Sequence, residues 1–561
     1  MAGCLPYWRK RVRKAVRAGL AAAALLSAQP LPSGPQVVTL LSSVDDTDQP
    51  YALYVPRRFD PAEKYPLVIS LHEEGSNHRL NLRRVFGRGN LPREPDSEAG
   101  NRPFPPFPDV DFIVAAPLAR GNMGYQGIPE KDVYDVLEDV KRKFRIDEDR
   151  IYLTGASMGG GGAFWIGLTR PDLWAAIAAV CPSPLEQADE LAANALNVPV
   201  WIFQGALDPL VPVELNRQRR DRLRAAGVRV EWTEYSAVRH NAWDFAYRGG
   251  TVFSWFRGIR RERFPQRVHF STRSYKYRSA YWVELDGITP GELAVIDARF
   301  TGTNRIEIQT SGVDGFTLRL EECANCQPES ALTLSLDGAP VKVKMQERVS
   351  LSRTAQGWRE GRYQLPAGAK GPGREGPIRE AVSRRHIYVY GTADGPDAEE
   401  VQRRREVASR AATWVRPPER LLLSLRVAAD SEISEEDMRA ADLVLFGTQE
   451  TNALIARLAP QLPLRLSPGA ADFGLLFIAP AGGRYVLVNS GLPWWTGAEQ
   501  SKRAGMPSQP LPYEVLPTFG DFLLFKRSLQ DVVAEGHFDR NWKVPAGAAA
   551  RLAEAGVVQI Q

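Results

Sequence analysis

The chain has 561 residues, enough for about three domains, with ordinary apolar (44%) and charged (24%) fractions. Its formal net charge is +5, but Arg9, Lys10, Arg11, Arg13, Lys14 and Arg17 supply six cations and residues 1–30 hold no acid. Without those six the remainder carries −1, which excludes an electrostatic footprint for nucleic acid.

The basic stretch precedes Ala18-Gly-Leu-Ala-Ala-Ala-Ala-Leu-Leu-Ser-Ala28 and then a proline-rich segment. This pattern predicts a signal peptide over 1–28 and a secreted or periplasmic mature protein; the alternative is a plain basic tail. The apolar core is too short to span a bilayer, and no other segment reads as a transmembrane helix. Cys4 lies before the apolar core, so it is no lipid-attachment cysteine.

From residue 37 to 262 the pattern alternates strand and helix. Apolar strand runs stand at 65–71, 111–116, 151–154, 175–180, 198–203 and 228–232, and Val133, Val136, Leu137, Val140 and Phe144 mark one face of a helix. Continuous apolar strands between amphipathic helices predict a buried, mainly parallel sheet. Segment 93–108, rich in proline and charge, reads as a surface insertion near the mouth of a site.

Gly155-Ala156-Ser157-Met158-Gly159 follows the run Ile151-Tyr152-Leu153-Thr154 and opens into a helix-compatible stretch. Strand, sharp turn and helix would lift the Ser157 hydroxyl clear of a sheet. A serine nucleophile needs a base, and the base an orienting carboxylate. Of six histidines, His240 alone follows the serine within this segment, in a loop after the strand-like 228–235. Between them, the apolar run from Val198 ends in Gln204-Gly-Ala-Leu-Asp208-Pro-Leu-Val-Pro, which places the acid at Asp208. Taken singly, Asp208 could be a turn-capping residue and His240 a surface one; all three in order, each at a strand end, make coincidence a poor account.

These motifs, with Tyr125-Gln-Gly-Ile-Pro-Glu130 and Phe144-Arg-Ile-Asp, resemble the secreted esterase branch of the α/β-hydrolases. That branch includes polyhydroxyalkanoate depolymerases, feruloyl esterases and prolyl-oligopeptidase-like bacterial hydrolases. The resemblance covers 37–262. It implies an α/β-hydrolase domain with a Ser157, Asp208, His240 triad and no metal or cofactor. The ligand would be a small or polymeric ester. The oxyanion would be held by the backbone N–H of Met158 and one from Glu73 or Glu74. Relatives usually carry a His-Gly-x-Gly-like loop there, whereas this chain has His72-Glu73-Glu74-Gly75. Two carboxylates near a developing negative charge would oppose it unless solvated or paired, and solvent-facing side chains are the expectation. His72 is read as bracing its loop. The alternatives are a serine peptidase of the prolyl-oligopeptidase type, whose relatives normally carry a propeller, and a binding or scaffold protein on a degenerate hydrolase fold. With the whole triad before 262, residues 30–262 are expected to suffice for small esters.

Beyond 265 the runs at 267–270, 280–285, 292–300, 305–309, 316–321, 332–336 and 341–345 are short and alternating, which predicts a β-sandwich over 266–365. Tyr275, Tyr277, Tyr281 and Trp282 there suggest either a sugar- or polymer-binding platform or core packing. Cys323 and Cys326 predict a local disulfide, and Cys181 a buried thiol. Strands at 386–390, 421–427, 442–447, 474–479 and 485–489, with helices at 398–414 and 452–458, predict a smaller Rossmann- or flavodoxin-like α/β unit over 380–545. It lacks G-x-G-x-x-G spacing and a P-loop lysine, so a scaffold without cofactor is the reading. Oligomeric state is not set by the sequence.

Overall fold

The computed structural model describes residues 31–324, 326–414, 423–501 and 509–561; the proposed signal peptide lies outside them. No helix among the described residues is long and apolar enough to cross a membrane.

The first domain is built on β1 (Gly34–Leu41), β2 (Asp48–Val55), β3 (Tyr65–Leu71), β4 (Ile113–Pro117), β5 (Ile146–Ala156), β6 (Ala176–Val180), β7 (Val200–Gly205) and β8 (Val230–Tyr235). Their order in the sheet is β1-β2-β4-β3-β5-β6-β7-β8. β2 runs antiparallel to both neighbours, and from β4 onward all strands are parallel. This is the α/β-hydrolase arrangement. The central strands are buried throughout, which explains their unbroken apolar runs. The β1–β2 hairpin escaped the sequence reading; β1 lies at the sheet edge with its residues half-buried or exposed, so its pattern is weak.

Helices α1 (His78–Val85), α2 (Asp96–Ala99), α3 (Ile128–Lys143) and α4 (Met158–Thr169) follow. α3 buries Val133, Val136, Leu137 and Val140, the predicted face. In α4 every residue from Gly159 to Thr169 is buried, so it shows no amphipathic period. The predicted insertion 93–108, with the residues just before it, is packed onto α1. Arg79 and Arg83 of α1 donate to the carbonyls of Arg102, Gly89 and Ala99, and Phe107 stacks on Phe86 at 4.5 Å.

Two five-stranded sheets, Arg267–Thr272 to Gly357–Glu360 in sequence, pack face to face over Phe270, Leu285, Ile296, Phe316 and Leu334. Strands Arg348–Thr354 and Gly357–Glu360 were not foreseen. The aromatic group is core, not platform: Tyr275, Tyr277, Tyr281 and Trp282 are all buried. Cys323 and Cys326 are disulfide-bonded.

The third sheet has seven strands and is only half Rossmann-like. Arg426–Ala429, His386–Tyr390, Asp442–Phe446 and Arg484–Gly491 are parallel. Phe473–Ala481, Phe522–Lys526 and Val532–Gly536 then continue it antiparallel. The antiparallel half departs from the Rossmann- or flavodoxin-like expectation: Phe473–Ala481 turns back into Arg484–Gly491 through 482–483, and Phe522–Lys526 into Val532–Gly536 through 527–531, with no helical crossover in either return. The unit also runs past 545, since helix Ala546–Ala555 buries Leu552 in the same core.

The three parts share their cores. Val44 and Ile128 of the first domain are buried in the core of the third, and Met123 packs against it. Tyr277 of the sandwich enters the first domain's core, where its hydroxyl donates to Glu130 at 2.6 Å and its ring meets Trp165 edge-on. Ser424 N–H donates to Asp45, and Arg385 pairs with Asp46. A chain ending at 262 therefore exposes apolar surface. Its melting temperature should fall below that of the first-domain transition in the full chain by roughly 5–10 °C, read by calorimetry. An unchanged temperature would show the shared core to be dispensable.

His72, His78 and His386 are held neutral by burial, their ring pKa values pushed down to about 4, 3 and 4. A lowered histidine binds fewer protons folded than unfolded, so its contribution is present above pH 6.5 and is lost as pH falls toward the folded value. Burial pushes Asp132 up to about 6 and Glu375 to about 8, and these act in the opposite sense. The test is thus a difference: between pH 7 and pH 5 a His386→Leu variant should lose about 2 kcal/mol less unfolding free energy than the parent in urea titrations. An equal loss in both chains would mean that His386 is protonated in the folded state.

Candidate active site

Ser157 sits between β5 and α4 at φ 51° and ψ −116°, a conformation that L-residues rarely adopt. The strain is imposed by close packing. A Cβ on Gly159 would lie 2.2 Å from the Leu71 carbonyl oxygen and 2.7 Å from that of His72. The start of α4 is thereby pressed against the end of β3 and its following loop. Ser157 N–H donates to Val180 O at 2.9 Å, which fixes the turn to β6.

The three residues singled out in the sequence are brought together. His240 Nε2 lies 2.9 Å from Ser157 Oγ, and His240 Nδ1 lies 2.7 Å from Asp208 Oδ2. Asp208 follows β7, and its other oxygen accepts from the N–H groups of Leu210 and Val211, both at 2.9 Å. The His240 loop crosses directly over the end of β7, where a Cβ on Gly205 would meet the Arg239 carbonyl oxygen at 2.1 Å. Cys181, the predicted buried thiol, donates to the His240 carbonyl at 3.1 Å and holds that loop from beneath. The side chains of Asp208 and His240 are 0% and 16% exposed, so the acid is sealed and the base reaches the surface.

Behind Asp208 stands a buried amide network that the sequence reading missed. Gln204 Nε2 donates to Asp208 Oδ2 at 3.2 Å and to Val211 O at 3.0 Å. Asn216 Nδ2 donates to Gln204 Oε1 at 2.8 Å, and Arg219 donates to Asn216 and Asp189. Its one sequence cue is Gln204 at the apolar end of a strand, four residues before the acid.

The loop after β3 departs from expectation. Glu74 is exposed as anticipated, but Glu73 is buried at 3% exposure and paired with Arg84 of α1. A buried carboxylate requires a cation, and α1 supplies one that no local motif announces. His72 is a brace, as read: its ring nitrogens lie 2.8 Å from Glu73 O and 2.9 Å from Leu118 O. Tyr125 Oη donates to His72 O at 3.0 Å, and Gly75 N–H donates to Asn122 Oδ1 at 2.8 Å. Met158 is the first residue of α4, so its N–H points outward at a helix N-terminus beside this loop.

Cys181, Asp208 and His240 present ligand-type atoms within 4.8 Å of one another. They suit a metal poorly. Both His240 nitrogens are committed to Ser157 and Asp208, and burial pushes the Cys181 thiol far up from its ordinary value, away from the thiolate a metal needs. A cavity of about 440 Å³ lined by Asp172, Arg261, Tyr281 and Arg319 lies between the first domain and the sandwich and includes none of the three. Hydrogen-bond geometry, more than cavity size, marks the site.

Residues 119–184, which contain the Ser157 turn, match the prolyl oligopeptidase family. No curated protein matches the chain. Among solved structures it is similar to a thermostable esterase at 25% identity and TM-score 0.33, with 40% of this chain covering 63% of that one. The chain thus spans under two thirds of that esterase's length. It is also similar to a ferulic acid esterase (20% identity, TM-score 0.32, 40% of this chain and 100% of that one) and to the ferulic acid esterase of Anaeromyces mucronatus (18%, 0.30, 40% and 94%). The sheet order gives the first domain the α/β-hydrolase fold, and within it Ser157, His240 and Asp208 are hydrogen-bonded in series.

Replacing Gly159 with Ala drives a Cβ into backbone that has no free side to move to. The variant should lose more than about 3 kcal/mol of stability in urea titrations. Parental stability would show that α4 can slide away from β3.

Proposed function

We propose that this protein is an exported serine hydrolase that cleaves carboxylic esters. The observation that carries the reading is the continuous chain Ser157 Oγ, His240, Asp208 at 2.9 and 2.7 Å on a strained strand-to-helix turn. His240 Nε2 takes the Ser157 proton as Oγ attacks the ester carbonyl. The tetrahedral oxyanion is received by the N–H of Met158 and one from Glu73 or Glu74. Collapse expels the alkoxide, which His240 protonates, and leaves an acyl ester on Ser157. Water then attacks with His240 again as base, releasing the acid and restoring Ser157. Asp208 holds the Nδ1–H tautomer and stabilises the imidazolium, while Leu210, Val211 and Gln204 hold Asp208.

Export is supported by the basic-then-apolar N-terminus and by the Cys323–Cys326 disulfide. Peptide hydrolysis is the second reading, favoured by the match of 119–184 to the prolyl oligopeptidase family. An alkoxide departs more readily than an amine, so the same site is more demanding to use on amides.

Changing Ser157 to Ala should abolish p-nitrophenyl ester hydrolysis and fluorophosphonate labelling, a loss on the order of 10⁶ in turnover. Asp208→Asn should keep labelling detectable but lower turnover about 10⁴-fold through the wrong histidine tautomer. Full activity in purified Ser157→Ala would place the chemistry elsewhere. A panel of acyl esters and peptide amides separates the two substrate classes: faster turnover of amides than of matched esters would overturn the ester assignment.

A further inference from the structure

Arg84 joins the loop after β3, the segment that follows α1 and the His240 loop. Its guanidinium is 4% exposed. One nitrogen meets the Glu73 carboxylate, in the loop assigned to the oxyanion. The other donates to Asn90 at 2.9 Å and Asp96 at 2.8 Å, in the insertion that follows α1. Its face lies 5.0 Å above the Trp243 ring. Trp243 in turn stands edge-on to His240 with ring centres 5.4 Å apart. Burial lowers the arginine's pKa, and the charges of Asp96 and Asp244 offset part of that shift.

Resting on the serine-hydrolase reading, we propose that Arg84 is a positioning residue for catalysis, tying the oxyanion loop to the histidine loop. The His-Gly-x-Gly-like pattern that this loop resembles would put glycine at its second position. Here Glu73 occupies it, and its carboxylate turns into the protein because Arg84 neutralises it there. The pair thus converts a carboxylate that would repel the developing oxyanion into a tether. The tether fixes the course of the backbone from His72 to Gly75. Through Trp243, the same cation limits the swing of His240 away from Ser157.

The test is a double-mutant cycle in the full chain, read as kcat and KM on a p-nitrophenyl ester, with a thermal melt on each variant. Arg84→Met leaves Glu73 buried without its cation and should lower kcat about a hundredfold with KM changed less than about threefold. Adding Glu73→Gln should recover about tenfold of that loss, because the neutral amide no longer needs a cation. Arg84→Lys, which keeps charge but not the planar fork, should fall between the parent and Arg84→Met. Losses that simply add in the double variant, or that fall on KM alone, would overturn the inference. If Arg84→Met does not fold, Glu73→Gln and Arg84→Lys carry the decision: parental kcat in both overturns it, and a loss of about threefold or more at unchanged KM supports it. Ser157→Ala is the control that separates the two levels. Hydrolysis that does not depend on Ser157 defeats the hydrolase reading itself, whereas Ser157-dependent hydrolysis with an additive cycle defeats only the role of Arg84.

Discussion

The packing of α4 against the carboxyl ends of β3 and β6 is the constraint from which the site follows. The helix enters backbone-first, with Gly159 against the carbonyls of Leu71 and His72 and Gly160 against Pro182. No side chain fits at either contact. That contact bends the chain at Ser157 into positive φ and leaves its hydroxyl and the next N–H at the surface end of a buried helix. The cost of the strained residue is offset by the burial of the whole remaining helix, from Gly159 to Thr169.

Once the turn is set, the other two loops must reach it from neighbouring strand ends, and each is held by buried polar groups. Asp208 has its two oxygens filled by backbone N–H groups, Gln204 and His240. The His240 loop is gripped from below by the Cys181 thiol and from the side by Trp243 under Arg84. Gln204, Asp208 and Cys181 are buried, so each hydrogen bond is stronger than it would be in water, and each missing partner would be more costly.

Ser157, Asp208 and His240 all lie in the first domain, yet the layers around them do not. Leu118, Asn122 and Tyr125 brace the loop of Glu73, and the same stretch continues through Met123 and Ile128 into the core of the third unit. Glu130, two residues further, anchors Tyr277 and Lys276 of the sandwich. One segment therefore faces the Glu73 loop on one side and both later domains on the other. This is a physical reason for such a chain to be long, apart from any ligand the later domains bind.

Much of the first domain was legible in the residues, because its signals are local. Buried parallel strands read as unbroken apolar runs, and the Ser157 turn is written in the glycines that its close contacts require. The order serine, acid, histidine at strand ends was enough to choose His240 among six histidines. The half-exposed edge strand β1 was not legible, and neither was the antiparallel direction of the third sheet's second half, since a buried strand such as the predicted 474–479 reads as an apolar run in either direction. Glu73 shows the boundary most clearly. The sequence determined that a carboxylate stands where the resembled His-Gly-x-Gly pattern has glycine, and that it must be solvated or paired. Only the tertiary structure decided which, because its partner, Arg84, is on the next helix, and only packing can say whether two side chains eleven positions apart meet in a place that water does not reach.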